Sequence, residues 1–114
     1  MIVHDVIAAL GLEVAAGADH LDNEITGGYA SDLLSCVMAG AKAGNVWVTL
    51  QAHTNVIAVA ELLGLGCVII TEGVRPGEET LSRANEKGVP TLLSKESTFA
   101  VVGKLWQLGI RSPK

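Results

Sequence analysis

Three short polar segments of this sequence carry side chains that could bind an anion. They are 51–55, 71–75 and 94–98, and each follows a run of apolar residues typical of a buried strand. Each segment also precedes a stretch with helical spacing, and the free N–H groups at a helix start favour anions. If the three runs are parallel strands, their carboxyl ends meet at one edge of a sheet, where ligands bind. We therefore predict a ligand-binding rim formed by Gln51, His53, Asn55, Thr71, Glu72, Gly73, Arg75 and Thr98.

The same segments also have a purely structural interpretation. Ser, Thr and Asn are common at helix starts and turns because their side chains accept backbone hydrogen bonds. The spacing places the first helical turns at Thr54 or Asn55, at Gly77 or Glu78, and at Ser97. From residue types alone, each polar side chain could cap a helix or contact a ligand, and both interpretations stay open.

Catalytic and metal-binding motifs are absent from the sequence. The histidines His4, His20 and His53 share no ligand spacing, and no G-x-S-x-G elbow is present. A Ser-His-Asp triad cannot be judged from residue types. The pair Gly27-Gly28 lacks the following lysine of a phosphate loop, and a glycine turn before a helix is the favoured interpretation. We predict no catalytic residue, no metal and no cofactor.

Composition restricts the classes of partner. The chain of 114 residues has a net charge of −4 and no basic cluster, which argues against nucleic acid binding. Its longest apolar stretch is too short and too interrupted for a membrane span. We expect a cytoplasmic protein without a leader segment. Cys36 and Cys67 lie in apolar runs outside any C-x-x-C pair, so two buried thiols are favoured over a disulfide or a reactive cysteine.

A low charged fraction predicts self-association. Hydrophobic residues make up 49% of the chain and charged residues 18%, below the usual quarter. A small domain has a large surface for its volume, so part of the apolar surface must be exposed in the monomer. We predict that a second copy covers some of it.

The second half of the chain consists of three similar units, 45–65, 66–88 and 89–109. Each has a short apolar strand, a polar corner, and a helical segment that a glycine closes. The predicted strands are Val46–Leu50, Cys67–Thr71 and Thr91–Ser94. Strands joined by crossover helices pair in parallel, and strands buried on both faces are apolar throughout. We predict an α/β three-layer sandwich, a mainly parallel sheet with crossover helices on both faces, in a single domain over 1–114.

The first half is less regular. Val3–Leu10 has the pattern of an amphipathic helix, Leu12–Ala16 that of a strand, and 17–24 that of a polar loop. We expect a helix after the glycine pair, with Ser31 as its N-cap and Asp32 in its first turn.

Several motifs together resemble the DRTGG domain family, over about residues 3 to 109. The family has a Gly-Asp-Arg-like corner after one strand and a Thr-Gly-Gly corner after the next. The matching segments here are Gln51–Ile57, Ile69–Gly73 followed by Pro76 and a helix over Glu79–Lys87, Val89–Leu93 and Ser97–Phe99. Two departures stand out, since Ala52-His53 replaces the Asp-Arg pair and Glu72 replaces the middle glycine of Thr-Gly-Gly.

The resemblance implies a regulatory and not a catalytic function. DRTGG domains accompany CBS domains in some pyrophosphatases, occur in some phosphotransacetylases, and resemble the N-terminal domain of HPr kinase/phosphorylase, which lacks the kinase loop. Stand-alone forms are similar to proteins encoded beside iron hydrogenases and signalling kinases. Our first hypothesis is a dimeric regulatory module that binds a small anion or adenine nucleotide at the rim. The second is a ligand-free interaction subunit for a hydrogenase or signalling kinase. The third, a small enzyme using His53 with Asn55 or Glu72, is the least favoured.

Overall fold

One five-stranded sheet with five α-helices builds the protein, for which a computed structural model describes residues 1–113. The strands are β1 (Glu13–Ala16), β2 (Gly27–Ala30), β3 (Asn45–Thr49), β4 (Cys67–Ile70) and β5 (Thr91–Leu93). The helices are α1 (Val3–Leu10), α2 (Leu34–Gly40), α3 (Thr54–Leu63), α4 (Glu78–Lys87) and α5 (Thr98–Gln107), with a short 3-10 helix at Ala18–His20.

The strand order is β1-β5-β4-β3-β2. Strands β2 to β5 are parallel, and β1 pairs antiparallel with β5 at one edge. The α/β three-layer sandwich with a mainly parallel sheet is therefore confirmed. No helix within residues 1–113 has the length and apolar character needed to cross a bilayer.

The sheet separates two apolar cores. Helices α2, α3 and α4 cover one face, where Trp47, Val68 and Ile70 point, and α1 and α5 cover the other, where Val48 and Ile69 point. Successive strand side chains alternate between the faces, so β3 and β4 are buried throughout. This double burial is the reason for their continuous apolar sequence.

Glycines close two of the crossover helices as the spacing predicts. Gly64 ends α3 and Gly88 ends α4, both in the left-handed conformation that glycine adopts without steric conflict. Gly109 lies one residue beyond the end cap of α5, with φ of 94°. The predicted boundaries of these helices are thus confirmed within a residue or two.

The glycine pair does not form a turn, and that prediction is wrong. Gly27 and Gly28 lie inside β2, and the C-terminal segment crosses directly over them. The Gly28 N–H donates to the Arg111 carbonyl at 2.9 Å. A Cβ on Gly27 would lie 2.8 Å from the same oxygen. Close approach of a distant segment, and not a local turn, requires these glycines.

The predicted start of α2 is also wrong. The helix begins at Leu34 with Leu33 as N-cap, and Ser31 instead accepts a hydrogen bond from the Leu33 N–H at 3.1 Å. Asp32 lies before the helix and bonds to the end of β3. Both side chains stabilise the connection between strand and helix and not the first helical turn.

Candidate functional site

The carboxyl ends of β2 to β5 lie along one edge of the sheet, which we call the rim. Because β1 runs antiparallel, its first residue, Glu13, lies on this edge too. Four strand spacings of about 4.8 Å make the rim about 19 Å long. One small ion cannot contact the whole rim, so the predicted site residues must fall into separate groups.

The middle of the rim brings Thr71, Glu72 and Thr98 together. The hydroxyl oxygens of Thr71 and Thr98 lie 2.6 Å apart, and the Glu72 carboxylate accepts the Thr98 N–H at 2.8 Å. Thr71 is fully buried, whereas Glu72 is exposed. These contacts fasten the first turn of α5 to the corner after β4, so the three predicted residues do form one cluster.

The corner after β4 has an unusual backbone. Glu72 has φ of 62°, and among residues 1–113 it is the one non-glycine residue with positive φ. Its N–H donates to the Glu96 carbonyl at 2.8 Å, and the Gly73 N–H donates to the Ser94 carbonyl at 3.0 Å. A non-glycine residue in this region is strained by about 1–2 kcal/mol, and strained residues cluster at binding sites.

A second group surrounds the start of α3. His53 is the N-cap, and its Nδ1 accepts the Asn55 N–H at 3.0 Å. Since Nδ1 is an acceptor, the neutral ring of this exposed residue carries its proton on Nε2. The Gln51 side-chain amide donates to the Asp32 carbonyl at 3.3 Å. His53, Asn55 and Gln51 are therefore neighbours on the rim, and His53 caps the helix.

Asp32 belongs to the rim although the sequence did not place it there. Its carboxylate accepts the Thr49 hydroxyl at 2.8 Å and the Leu50 N–H at 2.9 Å. These bonds tie the end of β2 to the end of β3. The position of a polar residue just after a strand could have indicated this role. Because β2 was not among the predicted strands of the sheet, Asp32 was not assigned to the rim.

The third group lies in a cleft of about 410 Å³ at the β5 and β1 end of the rim. Arg75 donates two hydrogen bonds to Glu13, at 3.1 and 2.9 Å. This bidentate contact lowers the pKa of the Glu13 carboxyl and raises the pKa of the Arg75 guanidinium. Gly73, Lys95 and Glu96 also line the cleft. Of these cleft residues, Glu13, Lys95 and Glu96 were not among the predicted site residues.

The three groups differ in the chemistry they offer. The cleft presents the Arg75 guanidinium and the Lys95 ammonium group, which suit phosphate or carboxylate, beside the carboxylates of Glu13 and Glu96. The α5 and α3 starts present hydroxyl, amide and imidazole groups, which suit polar parts of a larger ligand. Within residues 1–113 no three His, Cys, Asp or Glu side chains lie close enough together to hold a metal ion.

Sequence comparison places these features in a known family. The model of the DRTGG domain matches residues 5–108. The chain belongs to the DRTGG domain family. No curated protein sequence matches it.

A solved structure has the same DRTGG fold. It is the crystal structure of the CBS and DRTGG domains of the regulatory region of Clostridium perfringens pyrophosphatase, complexed with the activator diadenosine tetraphosphate. The TM-score is 0.75 at 12% sequence identity, over 93% of this chain and 46% of that chain. This chain thus spans about half the length of the other, and the likeness shows the fold.

The backbone at Glu72 has a conformation typical of glycine. The Glu72 φ of 62° is a conformation that glycine adopts freely. From this strained position, the Glu72 carboxylate accepts a hydrogen bond from the Thr98 N–H, the first free N–H group of α5.

Proposed function

We propose that this DRTGG domain is a non-catalytic, homodimeric regulatory module that binds a small anion or an adenine nucleotide at the rim. The cleft beside Arg75 and Lys95 is the observation that carries this proposal. Its volume of about 410 Å³ lies within the range typical of small-molecule sites. It also opens at the carboxyl ends of parallel strands, where ligands of α/β proteins bind.

The ligand class follows from the charges in the cleft and from the related fold. Arg75 already holds a carboxylate in the two-bond geometry that it would use for a phosphate group. A similar fold occurs in the regulatory region of the Clostridium perfringens pyrophosphatase, complexed with diadenosine tetraphosphate. An adenine nucleotide is therefore the first ligand to test, with its polar groups reaching toward Thr98 and Glu72.

Glu13 competes with such a ligand for Arg75. Both side chains of this ion pair are more than half exposed, so the pair adds little to stability and either residue can be replaced without unfolding the domain. Removing the Glu13 charge frees Arg75 for an anion. Removing the Arg75 charge leaves the cleft with less attraction for one.

The test is a thermal-shift measurement with ATP, ADP, AMP and inorganic phosphate. We expect at least one nucleotide to raise the melting temperature of the wild type, since a ligand that binds the folded state stabilises it. Glu13→Gln should enlarge this shift and Arg75→Gln should abolish it. Arg83→Gln, which removes an exposed charge from α4, is the matched control. An unchanged melting temperature with every compound, in both the wild type and Glu13→Gln, would refute the ligand proposal.

An exposed apolar surface favours a second candidate, a ligand-free interaction subunit for a hydrogenase or signalling kinase. Phe99 is 90% exposed and Trp106 is 54% exposed, which is unusual for aromatic side chains. This candidate predicts that a defined partner binds the wild type and not Trp106→Glu, while no nucleotide changes the melting temperature. Nucleotide stabilisation without partner binding contradicts it.

A further inference from the structure

The two faces of the sheet are covered unequally. Three helices cover one face, whereas only α1 and α5 cover the other. The part of the second face above β2 therefore lacks a helix, and a groove of about 290 Å³ lies there, which we call the α5 groove. Gly28, Ala30 and Val48 form its floor, and Val102 and Trp106 of α5 form one wall.

One side of α5 continues this apolar surface into solvent. Phe99, Val102 and Trp106 are spaced by three and four residues, so they share one side of the helix, and all three are exposed. Gly103 lies on the same side, and a Cβ added to it would meet nothing within 4 Å. We call these four residues the α5 stripe. A projecting aromatic stripe thus lies next to a groove with an apolar floor, whose edge carries Arg111 and Ser112.

We propose that a second copy of this chain occupies the α5 groove, with the two α5 helices packed antiparallel across a two-fold axis near Gly103. A two-fold interface brings the same surface of both copies together, so that surface must carry both the projection and the recess. The α5 stripe and the α5 groove meet this requirement. The inference rests on the homodimer proposed above and assigns its face.

Helix geometry supports the antiparallel arrangement. Phe99 precedes Trp106 by seven residues, which is about 10.5 Å along the axis. When two such helices run antiparallel about a centre between these positions, Phe99 of each copy lies beside Trp106 and the groove of the other. A cavity of about 150 Å³ accommodates benzene, so the α5 groove has room for the Phe99 ring.

The exposed area of this face suits a copy of the same chain. A stable interface needs about 800 Å² from each partner, and buried aromatic side chains contribute about 150–250 Å² each. Phe99 is 90% exposed and Trp106 54% exposed, so the two rings supply part of this area and the groove floor must supply the rest. Two nearby cations have partners within the chain. Arg111 lies 4.0 Å from the Trp106 ring centre, and Lys104 bonds to Glu96. The Lys104 charge is thus balanced by Glu96, whereas the Arg111 guanidinium keeps its charge beside Trp106 and lines the edge of the groove.

The first test measures molar mass by light scattering. The wild type should have twice the 11.8 kDa mass of the chain. Phe99→Glu should raise the dimer dissociation constant at least about thirtyfold, because it places a carboxylate in an apolar contact. Leu62→Glu is the matched control, since Leu62 is 69% exposed but lies on α3, which covers the opposite face of the sheet. It should leave the dimer intact.

The second test is oxidative cross-linking. Cβ atoms in a disulfide lie about 3.8 Å apart. A cysteine can therefore form a disulfide with the same cysteine of the second copy only when that position lies near the two-fold axis. We expect Gly103→Cys, in a chain that also carries Cys36→Ser, to form covalent dimers. The wild type, whose exposed Cys36 lies on α2 and away from this face, should not form them.

The outcomes separate this inference from the rest of the proposed function. A dimer that persists in Phe99→Glu and gives no Gly103→Cys cross-link overturns the α5 face while the homodimer stands. A monomeric wild type overturns both, including the case in which a different protein covers the stripe. Nucleotide stabilisation is measured independently, so the ligand proposal survives or fails on its own data.

Discussion

At the scale of single residues, the His53 side chain caps the helix that begins next to it. The imidazole accepts the Asn55 N–H, a donor that the first helical turn cannot satisfy internally. The position is an N-cap, where Ser, Thr, Asp and Asn are the usual residues. The capping interpretation of His53 is therefore supported by geometry, and its contact with a ligand stays a prediction.

Removing this cap should destabilise the domain measurably. We expect His53→Ala to lower the free energy of unfolding by about 1 kcal/mol, the usual contribution of a capping side chain, and His53→Asn to restore it. Urea unfolding followed by circular dichroism measures both values. If His53→Ala were as stable as the wild type, the Nδ1 hydrogen bond would contribute nothing.

At the scale of elements, the connection after β1 depends on one glycine. Gly17 has φ of 73°, and its N–H donates to the Asn85 side chain at 2.8 Å. A Cβ there would lie 2.4 Å from the carbonyl oxygen of Val89. The edge strand β1 therefore leaves the sheet in contact with the segment that joins α4 to β5.

A matched pair of glycine substitutions isolates this contact. Gly11 also has positive φ, 66°, but a Cβ added to it meets nothing within 4 Å. Gly11→Ala should therefore cost only the backbone strain, about 1–2 kcal/mol of unfolding free energy. Gly17→Ala should cost at least about 3 kcal/mol, because backbone atoms must move as well. Equal losses in urea denaturation would contradict this account.

At the scale of the whole molecule, the two cysteines lie in different layers of the fold and differ in their exposure to solvent. Cys36 is exposed on α2, and Cys67 is fully buried in the core beneath α1 and α5. Burial disfavours the thiolate and raises the pKa of Cys67 to about 12. The sequence-based expectation of two buried thiols is therefore correct for Cys67 and wrong for Cys36.

Thiol labelling should show this difference. A thiol reagent should modify Cys36 rapidly in the native protein, whereas Cys67 should react only through opening of the core. In Cys36→Ser, the slow reaction should therefore accelerate as urea approaches the unfolding transition. Rapid native labelling of Cys36→Ser would mean that the core opens locally beneath α1 or α5.

The sequence by itself determined the features that depend on near neighbours. These features are the continuous apolar runs of the strands, the helical spacing, the glycines at 64 and 88, and the helix start at Ser97. They act within a few residues, so their elements were predicted correctly. The parallel direction of the later strands was also predicted, because two neighbouring strands joined by a crossover helix run the same way.

Only the tertiary structure decided which distant side chains meet. Arg75 and Glu13 are 62 positions apart, and Asp32 reaches Thr49 at the end of the neighbouring strand, 17 positions away, so neither pair has a local signal. Glycine is needed at position 28 because a segment more than 80 residues later in the chain lies directly against it. These contacts depend on strand order and register, which arise when the apolar faces of all elements are buried together and not from any single segment.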